Sequence, residues 1–131
     1  MKNVFRKGDK KYHNFKVKPE DSAHFDQQAV HDVCATFTLA REIEWATRLF
    51  VLEMLEEGEE GIGTHLNIQH LAPALLGTEI NIDAEFDDIK DGEIICKYIA
   101  KVGDRLVAKG TTGQKILLKE KLAEIFDKLS K

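Results

Sequence analysis

FTLAREIEWATRLFVLEMLE, residues 37–56, is the segment on which the fold of this chain turns. It is the longest periodic run, and its apolar residues recur at helical spacing, so it predicts a helix of roughly 20 residues ended by a left-handed cap at Gly58. At ~100° per residue, Phe37, Ala40, Thr47, Val51 and Leu55 lie within roughly 60° of Glu44. Glu42 and Glu53 point almost the opposite way. Glu44 is therefore a carboxylate on an apolar face, where an unpaired charge costs of the order of several kcal/mol. Such a position is a candidate for chemistry. The competing reading is a helix ion pair with Arg48, only ~40° away, or with Arg41.

Past the helix the period changes from 3.6 to two. Glu79 to Asp87 sets Ile80, Ile82, Ala84 and Phe86 against Glu79, Asn81, Asp83, Glu85 and Asp87. That is a strand with one dry and one wet face, the mark of an antiparallel sheet. Ile62 to Ala72 reads the same way, with Ile62, Thr64, Leu66, Ile68 and His70 on one face and Gly63, His65, Asn67 and Gln69 on the other. Asp91-Gly92 and Gly103-Asp104 are turn signals that bound a strand from Glu93 to Val102. Arg105 to Leu118 is a last long strand, in which Gly110 and Gly113 predict a bulge or bend. Lys119 to Leu129 is a short amphipathic helix. Before the long helix, Tyr12 to Lys18 reads as a strand ended by Pro19, and Glu20 to Val33 as a loop with one helical turn.

The order predicts an α+β fold with a long central helix wrapped by a curved antiparallel sheet of about five strands. That is the hot-dog architecture, here as one domain spanning residues 1–131. A sheet with exposed edges predicts edge pairing and a homodimer, with a dimer of dimers open to it.

Composition narrows the function classes. The chain has 131 residues, 32% of them charged, and a net charge of -4. No basic stripe suggests nucleic acid, and no apolar run approaches the ~20 residues of a membrane span. The start is polar and unlike a signal peptide, and Cys34 and Cys96 sit in apolar surroundings without metal-ligand spacing; both point to a reduced, cytoplasmic protein. The histidines form no metal set, and no phosphate-cradling glycine loop, HExxH or GxSxG occurs, so no metal or cofactor is expected.

Strand parity turns His70 toward the helix and His65 away from it. A carboxylate and an imidazole facing each other in a dry layer suit acid–base chemistry, which pairs Glu44 with His70. The plainer reading of His70 is a core histidine satisfied by a backbone carbonyl. Thr36 lies ~80° round the helix from Glu44 and either caps the helix or supplies a hydroxyl for attack. Gly63, leading into Thr64, is a simple strand-start glycine or a place where a ligand meets a backbone N–H oxyanion donor.

Three stretches then form a pattern: Ala35-Thr36-Phe37, Glu44-Trp45-Ala46, and EEGEEGIGTHLNIQHLAPALLGTEINIDAEF from Glu56 to Phe86. Together they resemble the fluoroacetyl-CoA thioesterase-like branch of the hot-dog thioesterases, over about Tyr12 to Leu118. The resemblance implies a dimer that hydrolyses an acyl-CoA thioester, with Thr36, Glu44 and His70 as catalytic positions and Gly63 as backbone donor beside Thr64. Two departures argue against fluoroacetyl-CoA itself. Glu20 to Val33 does not match the fluoroacetate-specific enzyme, and GTTGQK in the last strand lacks that enzyme's histidine and arginine. The expected function is hydrolysis of a small or medium acyl-CoA. The alternative is a non-catalytic acyl-CoA or small-ligand binding domain on the same fold. A hydratase of this fold fits less well, since no histidine follows Asp32 at the expected place.

Overall fold

The computed structural model describes residues 1–25 and 28–131. Its strands are β1 (Lys10–Lys16), β2 (Ser22–Phe25), β3 (Gln28–Cys34), β4 (Glu59–His70), β5 (Glu79–Lys90), β6 (Glu93–Val102) and β7 (Arg105–Leu118), and its helices α1 (Thr36–Met54) and α2 (Lys119–Leu129). The main sheet is antiparallel throughout, in the order β1-β5-β6-β7-β4. Helix α1 touches all five of its strands. The helix wrapped by a five-stranded sheet is thus the expected hot-dog arrangement.

The core lies between them. Ile80, Ile82, Ala84 and Phe86 from β5, and Ile94, Cys96, Tyr98 and Ala100 from β6, are buried against Leu39, Ile43, Ala46, Phe50, Val51 and Met54 of α1. Phe5 closes one end, edge-on to Phe50 with ring centroids 4.9 Å apart. The amino terminus beside it pairs with Glu56 at 2.5 Å. The β5–β6 turn has Asp91 and Gly92 both at positive φ, 52° and 80°. These are the values that a tight two-residue hairpin needs, and Asp-Gly meets them at low cost.

Four expectations are corrected. Glu20 to Val33 is not a loop: a 3-10 turn at Pro19–Asp21 leads into a two-stranded sheet of β2 and β3, with residues 26 and 27 outside those described. Its irregular pairing, shifted on both sides of Ala23, explains why no clean period marked it. Gly58 is not the helix cap. Leu55 ends α1 in an extended conformation, and Gly58, at φ +82°, turns the chain toward β4. Neither Gly110 nor Gly113 is itself a bulge of β7: Gly110 sits in regular β4–β7 register, Gly113 lies opposite the shift that β4 makes between Gly63 and His65, and the extra residue of β7 is Val107, against β6. Glu44 does not point into the dry layer, for a reason that belongs to the site.

Among the described residues no helix is long and apolar enough to cross a membrane.

Candidate active site

Helix α1 is apolar over most of its circumference, so periodicity leaves its buried stripe ambiguous by a quarter-turn. The sheet settles it. The buried residues Leu39, Ile43, Ala46, Phe50 and Met54 centre ~120° away from Glu44 round the helix. Glu44 is exposed on the flank. Phe37 (54% exposed), Trp45 (44%) and Leu52 (43%) share the uncovered side of the helix.

That flank faces strand β4. A Cβ placed on Gly63 would lie 2.7 Å from Glu44 Oε1, so only a glycine leaves the carboxylate room against the strand. Glu44, Gly63, Thr64, His65 and Leu66 line a cavity of about 260 Å³. A larger one, about 390 Å³, lies among Asn67, Gln69, Lys97, Lys109 and Thr111, away from every candidate residue. Among the described residues Glu44 makes no ion pair with Arg48 or Arg41; Arg48 Nη1 donates instead to the Gly61 carbonyl at 3.1 Å.

The shift at Thr64 also revises the strand parity. His65 pairs with Gly113 directly after Gly63 pairs with Gln114. The added residue turns Gly61 and Gly63 toward α1, on the side that Leu66, Ile68 and His70 occupy beyond it. Parity alone put Gly63 on the outer face. His65 is exposed as expected, with its ring and the Thr64 hydroxyl filling the space that a side chain at 113 would need.

Eight residues back along α1, Thr36 Oγ1 lies 2.9 Å from His70 Nδ1. Ala35, not Thr36, is the N-cap, and no side chain caps the helix. Thr38 is buried. The Thr36 hydroxyl is therefore spent on the imidazole. His70 Nε2 is buried without a hydrogen-bond partner. Such an atom costs about 1–3 kcal/mol; the buried Thr112 Oγ1, outside the candidate site, shares this state.

The candidate residues thus fall into two pairs. Thr36 and His70 meet at one end of the α1–β4 contact, and Glu44 and Gly63 meet at the other. Within one chain, no hydrogen bond joins Glu44 to His70 among the described residues. Eight residues of helix separate Thr36 from Glu44 by ~12 Å, and seven of strand separate Gly63 from His70 by ~23 Å.

The family described as FlK, fluoroacetyl-CoA-specific thioesterase, matches residues 17–120. Among solved structures, a Thermus thermophilus hypothetical protein described as a thioesterase superfamily member is 32% identical. The match covers 98% of this chain and 95% of that one, with a TM-score of 0.92. The fluoroacetyl-CoA thioesterase FlK itself is 22% identical, with 96% and 98% covered and a TM-score of 0.85. A hot-dog-like protein from Thermanaerovibrio acidaminovorans is 18% identical, with 95% and 92% covered and a TM-score of 0.87. The comparison with curated proteins gives no match.

Proposed function

We propose, since the chain belongs to the fluoroacetyl-CoA-specific thioesterase family, that it hydrolyses a small or medium acyl-CoA to the free acid and coenzyme A. The observation that carries this reading is the 2.9 Å contact between the Thr36 hydroxyl and His70 Nδ1. A hydroxyl against an imidazole is the pairing that nucleophilic acyl transfer uses. The imidazole takes the proton as Thr36, or a water held in its place, attacks the thioester carbon. A carbon–oxygen bond forms, the carbon–sulfur bond breaks, and the same imidazole returns the proton to the departing thiolate. Where Thr36 is the nucleophile, a water deprotonated by the imidazole then attacks the acyl-threonine ester, releasing the acid and restoring the Thr36 hydroxyl. The backbone N–H of Gly63 would face the carbonyl oxygen, with Thr64 beside it. Glu44 would hold the proton balance beside them.

The separation of the two pairs supports a shared site. Strand β4 is a sheet edge with no lysine between Glu59 and His70, whereas the other edge, β1, carries Lys10, Lys11 and Lys16. Lysines blunt an edge against pairing. An antiparallel pairing of two β4 edges about a two-fold axis sets the Gly63 end of one against the His70 end of the other. Thr36 and His70 of one protomer would then work with Glu44 and Gly63 of its partner, which supports a homodimer.

The test is free-thiol release over a panel of straight-chain acyl-CoA esters. Turnover is expected for at least one, with kcat reduced by about 10²–10⁴ in Glu44→Ala. Mixing Thr36→Ala with Glu44→Ala before assay is expected to restore about a quarter of the wild-type activity, because half the molecules become mixed dimers with one intact shared site. Absence of release from every ester, with thermal stabilisation by the same esters, would convert the reading to a binding domain. Absence of restoration on mixing would place all the residues in one protomer.

A further inference from the structure

We propose that Gln114 and Thr47 are positioning residues that hold Glu44 against Gly63. Neither belongs to the catalytic pairs, and the catalytic consequence rests on the function proposed above.

Gln114 is 2% exposed and Thr47 is fully buried. Glutamine is seldom found inside unless it has a partner. The register of β7 sets Gln114 directly across from Gly63. Cross-strand side chains on one face start ~4.5–5.5 Å apart, but Gly63 contributes none. The space above this pair is therefore shared by the Glu44 carboxylate, coming down from α1, and the Gln114 side chain. Gln114 Nε2 donates to Thr47 Oγ1 at 3.2 Å. The Thr47 hydroxyl donates in turn to backbone carbonyls one turn back, Glu44 O at 3.1 Å and Ile43 O at 3.3 Å. A continuous chain of hydrogen bonds thus runs from the strand position opposite Gly63 to the backbone of Glu44.

Core packing fixes the depth and overall direction of α1. An apolar pair of the same volume in place of Gln114 and Thr47 would leave this turn only a small rotational freedom. Directional bonds remove that freedom. The rotation of α1 fixes whether the exposed carboxylate sits over Gly63 or swings into solvent. Because Glu44 lies on the flank, a small rotation moves it sideways rather than deeper. The neighbouring tie from Arg48 to the Gly61 carbonyl anchors the same turn to β4, but it does not reach Glu44.

The experiment uses Thr47→Val, which keeps the shape and loses the hydroxyl, Thr47→Ser, which keeps the hydroxyl, and Gln114→Leu. Thr47→Val is nearly isosteric, so it remains informative where Gln114→Leu does not fold. The first readout is the nitrogen-15 shift of the Gly63 amide as the Glu44 carboxyl titrates. Wild type and Thr47→Ser are expected to show the coupled titration, and Thr47→Val and Gln114→Leu to lose most of its amplitude. The second is turnover of an acyl-CoA, where the same two variants lose about 10-fold in kcat with KM unchanged and Thr47→Ser recovers it. Unchanged amplitude and unchanged kcat in the folded variants overturn the proposal while leaving the enzyme reading intact. A wild type that releases no thiol, yet loses the amide titration on Thr47→Val, overturns the enzyme reading and leaves the positioning intact.

Discussion

Strands β4 and β5 each run for 12 residues of the same sheet, and they are built by different rules. In β5 burial alternates from Glu79 to Phe86, and Ile80, Ile82, Ala84 and Phe86 all face the core; its own shift against β6, between Phe86 and Asp88, falls only after that run. It is an inner strand, with β1 on one side and β6 on the other. In β4 the alternation breaks at the shift between Gly63 and His65, the residues from Gly63 to His65 are not tightly packed, and one side has no partner strand. A strand held on both edges and one face has its register over-determined. A strand at the edge can carry an extra residue, a bare glycine and an exposed backbone at little cost to the fold. The regular strand therefore holds the molecule together, and the irregular one carries the candidate chemistry.

The largest effect expected from this contrast is on stability. Ile82→Ala should lower the unfolding free energy by about 2–5 kcal/mol, since the side chain is fully buried and its loss leaves a cavity. Ile68→Ala, on a partly buried residue of β4, should cost clearly less. Urea unfolding of the two variants checks the ordering. Equal losses would break the division of labour between the strands.

The next effect falls on turnover. Gly63→Ala adds a Cβ that would stand 2.7 Å from Glu44 Oε1, and that oxygen is the free end of a flexible side chain. The carboxylate can swing away, so stability should change by less than about 1 kcal/mol. The displaced group should lower kcat by about 10- to 100-fold, because misplacement on an ångström scale removes productive geometry. Steady-state kinetics beside a melting curve make the check. A variant with full kcat would show that the closeness of Glu44 and Gly63 has no part in catalysis.

How far the sequence could be read follows the same contrast. The bounds of β6, β7 and α2 agree with those expected from turn residues and period. The dry face of β5 agrees as well, because strict alternation admits one solution. Helical spacing marks Glu44 but not its orientation: an all-round apolar helix does not reveal which side the sheet covers. Parity gave His70 its inward face, since it lies beyond the shift, and misplaced Gly63, which lies before it. Nothing in the spacing of Gly63-Thr64-His65 announces an extra residue; only the pairing of β7 against β4 creates it. Gln114 and Thr47 carried no signal as a pair, being 67 residues apart and joined only by the fold. The β2–β3 pairing leaves no period in the sequence because it is shifted twice within four residues.

The smallest effect is silent at neutral pH and compares the core side with the site side through two thiols. Burial pushes the Cys96 thiol of β6 up to about 12 and the Cys34 thiol at the end of β3 up to about 11, from an ordinary 9.0. Burial also raises the Tyr98 hydroxyl to about 12. A group whose folded pKa is raised keeps its proton in the native state after the unfolded chain has lost it. Stability should therefore be level with respect to these groups below pH 9 and fall as pH rises through 11 and toward 12. Thermal midpoints measured at intervals above pH 8 check this, with slope rather than absolute midpoint as the readout. Cys34→Ala should flatten the slope up to about pH 11, and Cys96→Ala should extend that flattening toward 12. Cys34 sits where the β2–β3 hairpin meets the start of α1, tied by its own N–H to the Ala74 carbonyl at 2.8 Å. If Cys34→Ala left the slope unchanged while Cys96→Ala flattened it, the thiol beside the site would be reached by solvent in solution. The hairpin would then open independently of the β5–β6 core, and the contrast between the two sides of the molecule would extend from packing to motion.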